Sequence, residues 1–300
     1  MKKKLLISLI SIGIISVSAC VYAMSQNNKY PSFSMSYQSG IKGNEKTEDY
    51  IKNYKCDLKT LPQLTIYYNS LHQFGNTLKI YTTCIKEYPE DETLYNNRGN
   101  IYKMLKKYDE ALADYEKALS LKPEYLSPYN GKMSVYLLKN NFDEALAISD
   151  KILQLEPKSD NTYYQRGIIY YEKNNDDEAL KNFDLALKYD PKNHPAAYYY
   201  RGNIYSKKED YNAAIKDYEK SIKIYLKTTK NDVASIDDSV GDVYHNMVIA
   251  YIRLGNFDKA LTCLIGATRY YKAYGNEQAL KETEELVTIL YNNMKNIKQK

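Results

Sequence analysis

The sequence predicts an all-α fold, a solenoid in which one helix-turn-helix unit is repeated along the chain. The first observation is a period of 34 residues, at which proline recurs as Pro123, Pro157 and Pro191. The second is that alanine recurs at the same interval, as Ala111, Ala145 and Ala179. A repeat of this length is one supersecondary unit, which buries its apolar face against neighbouring copies.

The unit 92–125 shows how each helix is encoded. Its first helix carries an aromatic residue, a glycine and a tyrosine at spacings that place them on one face: Tyr95, Gly99 and Tyr102. Its second helix does the same with Ala111, Tyr115 and Ala118. Gly99 and Ala111 are small where the two helices approach each other. Pro123 ends the unit, because proline cannot continue a helix.

This pattern of aromatic, Gly, Tyr, Ala, aromatic, Ala and Pro resembles the tetratricopeptide repeat (TPR) family. The resemblance covers most of the chain and implies a right-handed superhelical solenoid. It also implies that the first helices line a concave groove, which receives a protein or peptide partner. The sequence departs from the family pattern where Tyr replaces Trp, and where Leu is replaced by Arg98, Arg166 and Arg201. We interpret these arginines as half-buried stems with solvated guanidinium groups rather than as ligands.

The period divides the chain into repeats at 92–125, 126–159, 160–194 and 195–228. A degenerate repeat precedes them at 58–91. A longer repeat follows at 229–274, where apolar spacing predicts a first helix that begins near Asp232. Residues 275–300 are predicted to form a capping helix, whose stripe contains Leu280, Thr283, Val287, Leu290, Met294 and Ile297. The alternative to a cap is a dimer seam along this stripe.

The N-terminus has the pattern of a targeting segment, in which three lysines precede an apolar run. The sequence Val17-Ser18-Ala19-Cys20 resembles the bacterial lipobox, which implies that residues 1–19 are a lipoprotein signal peptide. Cys20 would then be the lipid anchor and carry acyl chains such as palmitate. Cleavage after Ala23, or retention of the apolar run as a membrane anchor, are the alternatives. Residues 20–57 are polar and lack periodicity, so we expect a flexible tether.

The sequence offers no constellation for catalysis, so we expect no enzymatic activity, no cofactor and no metal. His72, His194 and His245 are isolated and lack metal-ligand spacing. The net charge of +5 is built from interspersed charges of both signs, which argues against nucleic-acid binding. A Cys56–Cys84 disulfide would suit an oxidising envelope, but we expect these two thiols to stay unpaired.

The groove implied by the TPR resemblance is where we expect the partner to bind. Its predicted residues are Asn96, Asn100, Asn130, Ser134, Asn161, Tyr164, Ile168, Tyr199 and Asn203. Asn can donate to and accept from a peptide backbone, and Tyr adds flat contact area. The alternative is that these are ordinary surface residues of a chain rich in Asn and Tyr. No cation stands at the places where some TPR domains clamp the carboxylate of a chaperone.

We therefore predict a protein–protein interaction scaffold or adaptor of the bacterial cell envelope. It would be lipid-anchored in the cell membrane or outer membrane and face the periplasm or the outside. The alternatives are a structural envelope protein that self-assembles through its C-terminal helix, and an accessory factor of a cell-wall or secretion enzyme.

Overall fold

The computed structural model describes residue 51, residues 53–228 and residues 239–298. These residues fold into helices, and no strand occurs among them. The chain divides after Leu155 into two compact units, which are considered one at a time. The predicted signal peptide, Cys20 and the predicted helix start near Asp232 lie outside the described residues.

The first unit is a series of antiparallel helix pairs. It contains α1 (Leu61–Ser70), α2 (Phe74–Glu87), α3 (Glu92–Met104), α4 (Tyr108–Leu121), α5 (Leu126–Leu138) and α6 (Phe142–Leu155). Each pair is joined by a short turn that contains one left-handed residue, and φ is +59° at Lys106. The backbone N–H of Lys107 donates to Tyr102 O at 2.9 Å, which closes the turn between α3 and α4.

Tyr115 holds three helices of the first unit together. Its side chain is fully buried, and its ring lies against Gly99 on α3 and Gly131 on α5. A Cβ atom at Gly99 would lie 2.8 Å from Cε1 of Tyr115, and one at Gly131 would lie 2.5 Å from Cζ. Both positions therefore require glycine for close approach. The second repeat keeps this space with Gly131, although Met133 stands at its expected glycine position.

The arginines that depart from the TPR pattern do not all behave as predicted. Arg98 Nε lies 2.8 Å from Asp114 Oδ2, and Nη2 lies 2.7 Å from Oδ1, in a bidentate pair on α3 and α4. Only 17% and 8% of the two side chains are exposed. In the second unit, Arg201 pairs with Asp217 in the same way, at 2.6 and 2.8 Å. The prediction of solvated guanidinium groups is wrong for these two residues, because a carboxylate sixteen residues later faces each one.

The two cysteines expected to stay unpaired form a disulfide, Cys56–Cys84, with 4.9 Å between their Cα atoms. The expectation was wrong because the chain before α1 packs against α2. Ile51 and Tyr54 are buried in the same apolar cluster as Cys84. The backbone N–H of Cys56 donates to Glu87 Oε1 at 3.0 Å. The end of the segment predicted as a tether is therefore part of the first unit.

The second unit continues the same construction. It contains α7 (Asp160–Glu172), α8 (Asp176–Tyr189), α9 (Pro195–Lys207), α10 (Tyr211–Thr228), α11 (Ser239–Arg253), α12 (Phe257–Tyr274) and α13 (Glu277–Lys298). A Cβ atom at Gly167 would lie 2.5 Å from Cε1 of Phe183, and one at Gly202 would lie 2.6 Å from Cε1 of Tyr218. These contacts repeat the packing of Gly99 on Tyr115.

The last helix, α13, packs on α12. Thr283 and Leu290 of its predicted stripe are each only 1% exposed. Val287 of the same stripe is 43% exposed, and Leu286 packs against the core beside it. The buried face of α13 is thus rotated slightly from the one that the spacing predicted. Among the helices of the described segments, none is both long enough and apolar enough to cross a bilayer.

Candidate functional site

The first unit contains a cavity of about 610 Å³ between the first helices of its first two repeats, α1 and α3, with Tyr81 of α2 also lining it. Its apolar lining is Leu58, Leu61, Pro62, Ile66, Leu94, Ile101 and Met104. Its polar lining, besides Tyr81, is Thr65, Asn69, Asp91, Thr93, Asn97, Asn100 and Lys103. A concave, mostly apolar site with a few polar groups is the usual form of a ligand site.

Asn100, a predicted groove residue, lines this cavity, and Tyr115 orients its amide. The Tyr115 hydroxyl donates to Asn100 Oδ1 at 2.8 Å. Burial raises the pKa of the Tyr115 phenol, so this hydroxyl stays protonated and keeps donating. Among the described residues the amide nitrogen of Asn100 has no hydrogen-bond acceptor, so it can donate to a ligand.

Asn96, also predicted, does not line the cavity. Its side chain is 2% exposed, and its amide nitrogen donates to Asn97 Oδ1 at 3.2 Å. Asn97 lines the cavity instead, and sequence reasoning missed it. The signal was available, because residues 97, 100, 101 and 104 follow the i, i+3, i+4, i+7 spacing of one helical face.

The two predicted residues on α5 lie next to this surface. Asn130 Nδ2 donates to Leu126 O of its own helix at 3.3 Å. The Oγ atom of Ser134 lies 3.5 Å from Lys103 Nζ of α3. Ser134 therefore marks where the first helix of one repeat meets the first helix of the next. Lys103 was not among the predicted site residues.

Two of the predicted residues of the second unit, Tyr164 on α7 and Tyr199 on α9, belong to an aromatic cluster. The Tyr164 ring lies 5.3 Å from the His194 ring and 6.3 Å from the Phe183 ring, measured between centroids. The Tyr199 ring lies 5.4 Å from that of Tyr200. Burial raises the pKa of Tyr164 and of Tyr199, so both hydroxyls are protonated at neutral pH.

Asn203 in the second unit repeats the geometry of Asn100. Its Oδ1 atom accepts from the Tyr218 hydroxyl at 2.8 Å and from Asn246 Nδ2 at 2.9 Å. The Asn246 amide also reaches the Tyr199 hydroxyl, at 3.3 Å, so the structure brings Tyr199 and Asn203 together. Ile168 is partly buried against the cluster around Phe183, and Asn161 is exposed at the start of α7.

The described residues carry no group of three or more His, Cys, Asp or Glu side chains arranged to hold a metal ion. The acidic residues that recur at the repeat period lie in the first turns of second helices, as at Asp109 and Glu110 of α4. There they interact favourably with the helix dipole.

Family models for the tetratricopeptide repeat match residues 93–125, 161–193, 195–225 and 241–274. The chain contains tetratricopeptide repeats. The predicted resemblance to tetratricopeptide repeats and the all-α TPR solenoid fold are thereby confirmed. The helix pairs α1–α2 and α5–α6 lie outside the matched residues. No curated protein matches the sequence.

Solved structures with the same fold include YrrB, MamA and PilF, each of which is matched over most of its own length. YrrB, described as a TPR protein with an unusual peptide-binding site, is 21% identical over 68% of this chain and 97% of its own, with a TM-score of 0.52. MamA is 20% identical over 62% and 94%, with a TM-score of 0.51. PilF of Pseudomonas aeruginosa is 14% identical over 74% and 96%, with a TM-score of 0.57. At these identities the similarity establishes the fold alone.

Proposed function

We propose that this chain is a membrane-tethered protein–protein interaction scaffold of the bacterial cell envelope. It binds segments of partner proteins on the first helices of its TPR repeats and carries out no catalytic step. The TPR fold supports the general role in protein binding. The membrane attachment and the envelope location are the parts that the proposal adds.

The observation that carries the binding role is the cavity between α1 and α3. It combines an apolar lining with the oriented amide of Asn100, whose free nitrogen can donate to a peptide carbonyl group. YrrB, which has this fold, is described as having a peptide-binding site. The aromatic cluster around Tyr164 and Tyr199 offers a second surface, on the other unit, with the same kind of oriented amide.

Two features support the envelope location. The sequence Val17-Ser18-Ala19-Cys20 resembles a lipobox and would place a lipid on Cys20. The Cys56–Cys84 disulfide supports an oxidising compartment, because thiols are usually kept reduced in the cytosol. Two acyl chains on Cys20 are enough for stable membrane anchoring.

The binding role is tested by crosslinking in the native cells, followed by mass spectrometry of what co-purifies with the protein. We expect the combined change Asn100→Ala, Tyr164→Ala and Asn203→Ala to remove the main partner. The control is Lys181→Ala, which changes a side chain on α8 that is 68% exposed and should leave the partner bound. Retention of every partner by a folded triple variant would contradict the proposed site.

The anchor is tested by growing cells with labelled palmitate. We expect the wild type to carry the label and to sediment with membranes, and Cys20→Ala to lose the label. A labelled Cys20→Ala variant would contradict the assignment of Cys20. Membrane association without any label would instead indicate that the apolar N-terminal run is retained as the anchor.

Self-assembly through α13 is the second candidate, and one observation favours it. Val287 and Tyr291 on this helix are 43% and 69% exposed, although both are large and apolar. Truncation after Tyr274 separates the two functions. A folded truncated chain that loses its oligomeric state but keeps its partner would assign assembly to α13 and binding to the repeats.

A further inference from the structure

Lys103 is a positively charged residue of the first unit without a carboxylate partner among the described residues. Its ammonium is half-buried on α3, and it lies 3.5 Å from the neutral Oγ atom of Ser134. Within the described part of the chain no carboxylate lies within 4 Å of it. Burial lowers the pKa of this ammonium, which reflects the free-energy cost of a desolvated charge.

Three other lysines of the same unit each have a carboxylate partner. Lys122 lies 3.0 Å from Glu92, Lys132 lies 3.2 Å from Glu116, and Lys139 lies 3.0 Å from Asp109. Among the described residues Lys103 has no such partner, although it is half-buried and lines the cavity. An opposite charge that arrives with a ligand would remove this cost and gain a charge-assisted hydrogen bond.

The groups beside Lys103 also suit an anion. Asn100 lies three residues earlier, so the two side chains share one face of α3. The carbonyl oxygen of Asn100 accepts from Tyr115, which orients the amide, and its nitrogen is a hydrogen-bond donor. Asp91, the carboxylate that lines the cavity, caps the opposite end of α3, where it accepts from Thr93 N at 2.8 Å. Asp91 and Lys103 are twelve positions apart, which corresponds to about 18 Å along a helix.

Apolar side chains complete the surface around this donor pair. Ile101 is buried in the wall of the cavity, while Met104 and Leu58 are 41% and 39% exposed at its lining. Large apolar side chains exposed around a concavity are typical of binding surfaces. A ligand that fits must therefore present an apolar group close to a negative one.

We propose that the cavity between α1 and α3 binds an acidic peptide segment of a partner protein. An aliphatic or aromatic side chain of the segment packs in the cavity, and an Asp or Glu carboxylate is held by Lys103 and Asn100. Ser134 on α5 lies beyond Lys103, so the surface of first helices continues past the ammonium. For this reason the acid is an internal side chain and not a C-terminal carboxylate. The inference rests on the proposed function and names the class of partner at that site.

The test is selection of a random peptide library against the whole purified chain, with the peptides fused at their C-terminal ends so that no terminal carboxylate is free. We expect the selected peptides to be enriched in Asp or Glu next to an apolar residue. For a selected peptide, replacing the acid by its amide should weaken binding about tenfold, as expected for one charge-assisted hydrogen bond. With Lys103→Gln the same replacement should have almost no effect.

Lys139→Gln is the matched control, because Lys139 directly follows the next first helix, α5, and is already paired with Asp109. It should keep the tenfold preference for the acid. Selection of peptides without an acidic preference, or a preference that survives Lys103→Gln, would overturn the inference and leave the proposed binding role intact. A second library with free C-terminal ends is selected in the same way. A preference for acidic peptides that appears only in this second library would also overturn the inference, because the acid would then be the terminal carboxylate. Selection of no peptide at all would overturn the proposed function as well.

Discussion

Replacing Cys56 with alanine is expected to destabilise the first helix pair strongly. The Cys56–Cys84 bond joins residues separated by 28 positions. Cross-linking a loop of this length removes about 12 cal/mol/K of entropy from the unfolded chain, which corresponds to about 3.6 kcal/mol at 25 °C. A repeat array unfolds locally, so the loss should appear in α1 and α2 before it appears elsewhere.

Hydrogen exchange measured by mass spectrometry reports this local loss. Peptides that cover α1 and α2 should exchange up to about 400-fold faster in Cys56→Ala than in the oxidised wild type, which is 3.6 kcal/mol expressed as an equilibrium constant. Chemical reduction of the wild type should give a similar change. Cys263→Ala is the control, because Cys263 is a free, buried thiol of the second unit and its loss should leave α1 and α2 unaffected.

Two results would refute this reasoning. The first is a non-reducing digest of protein from an oxidising compartment that contains no peptide linked through Cys56 and Cys84. The second is equal exchange of α1 and α2 in the wild type and in Cys56→Ala, despite a linked peptide in the wild type. The second result would mean that Ile51 and Tyr54 hold this segment by apolar packing alone.

Three further changes test the packing of the repeats by denaturant unfolding. Gly167→Ala should lower the free energy of unfolding by about 1–3 kcal/mol, because the new Cβ atom would lie 2.5 Å from the Phe183 ring. Its control is Gly75→Ala, whose Cβ atom meets no atom within 4 Å and should leave the free energy of unfolding unchanged. Asp114→Ala should lower the free energy of unfolding by about 3–5 kcal/mol, because it leaves the Arg98 charge buried without its partner. Adding Arg98→Met to this variant should recover most of the lost stability. Lys106→Asn should stabilise the chain by about 0.5–1 kcal/mol, because Asn adopts the left-handed conformation at φ +59° with less strain. An unchanged unfolding midpoint in the first two variants would contradict the assigned repeat register, and a lower midpoint in the third would contradict the strain at Lys106.

The repeated elements could be predicted from the sequence because helix pairing is a short-range property. The small residue at a fixed place in each second helix identifies the contact between helices, and Ala111, Ala145 and Ala179 are indeed fully buried. Gly167 is likewise held against an aromatic ring. A period of 34 residues also predicts that each pair stacks on the next.

Features that depend on side chains across a turn could not be read from the same pattern. The Arg98–Asp114 pair needs the rotation of α4 about its axis, which the spacing of apolar residues does not specify closely enough. The Cys56–Cys84 disulfide was considered but rejected, because Cys56 stands in a stretch without periodicity that does not fix its position beside Cys84. In the site, the helical face that contains Asn100 was predicted, but Asn96 was assigned to it in place of Asn97.

Departures from the repeat period show where the chain differs from a purely structural array. The oriented amides recur, since Tyr115 binds Asn100 and Tyr218 binds Asn203 with the same 2.8 Å hydrogen bond. Lys103 does not recur, because the equivalent position in the next repeat is Leu137. A half-buried ammonium without a carboxylate partner does not serve the stability of the helix pair. Its presence beside a cavity is explained when its partner belongs to another molecule, and this is why selectivity for acidic segments follows from Lys103 rather than from the residues that the repeats share.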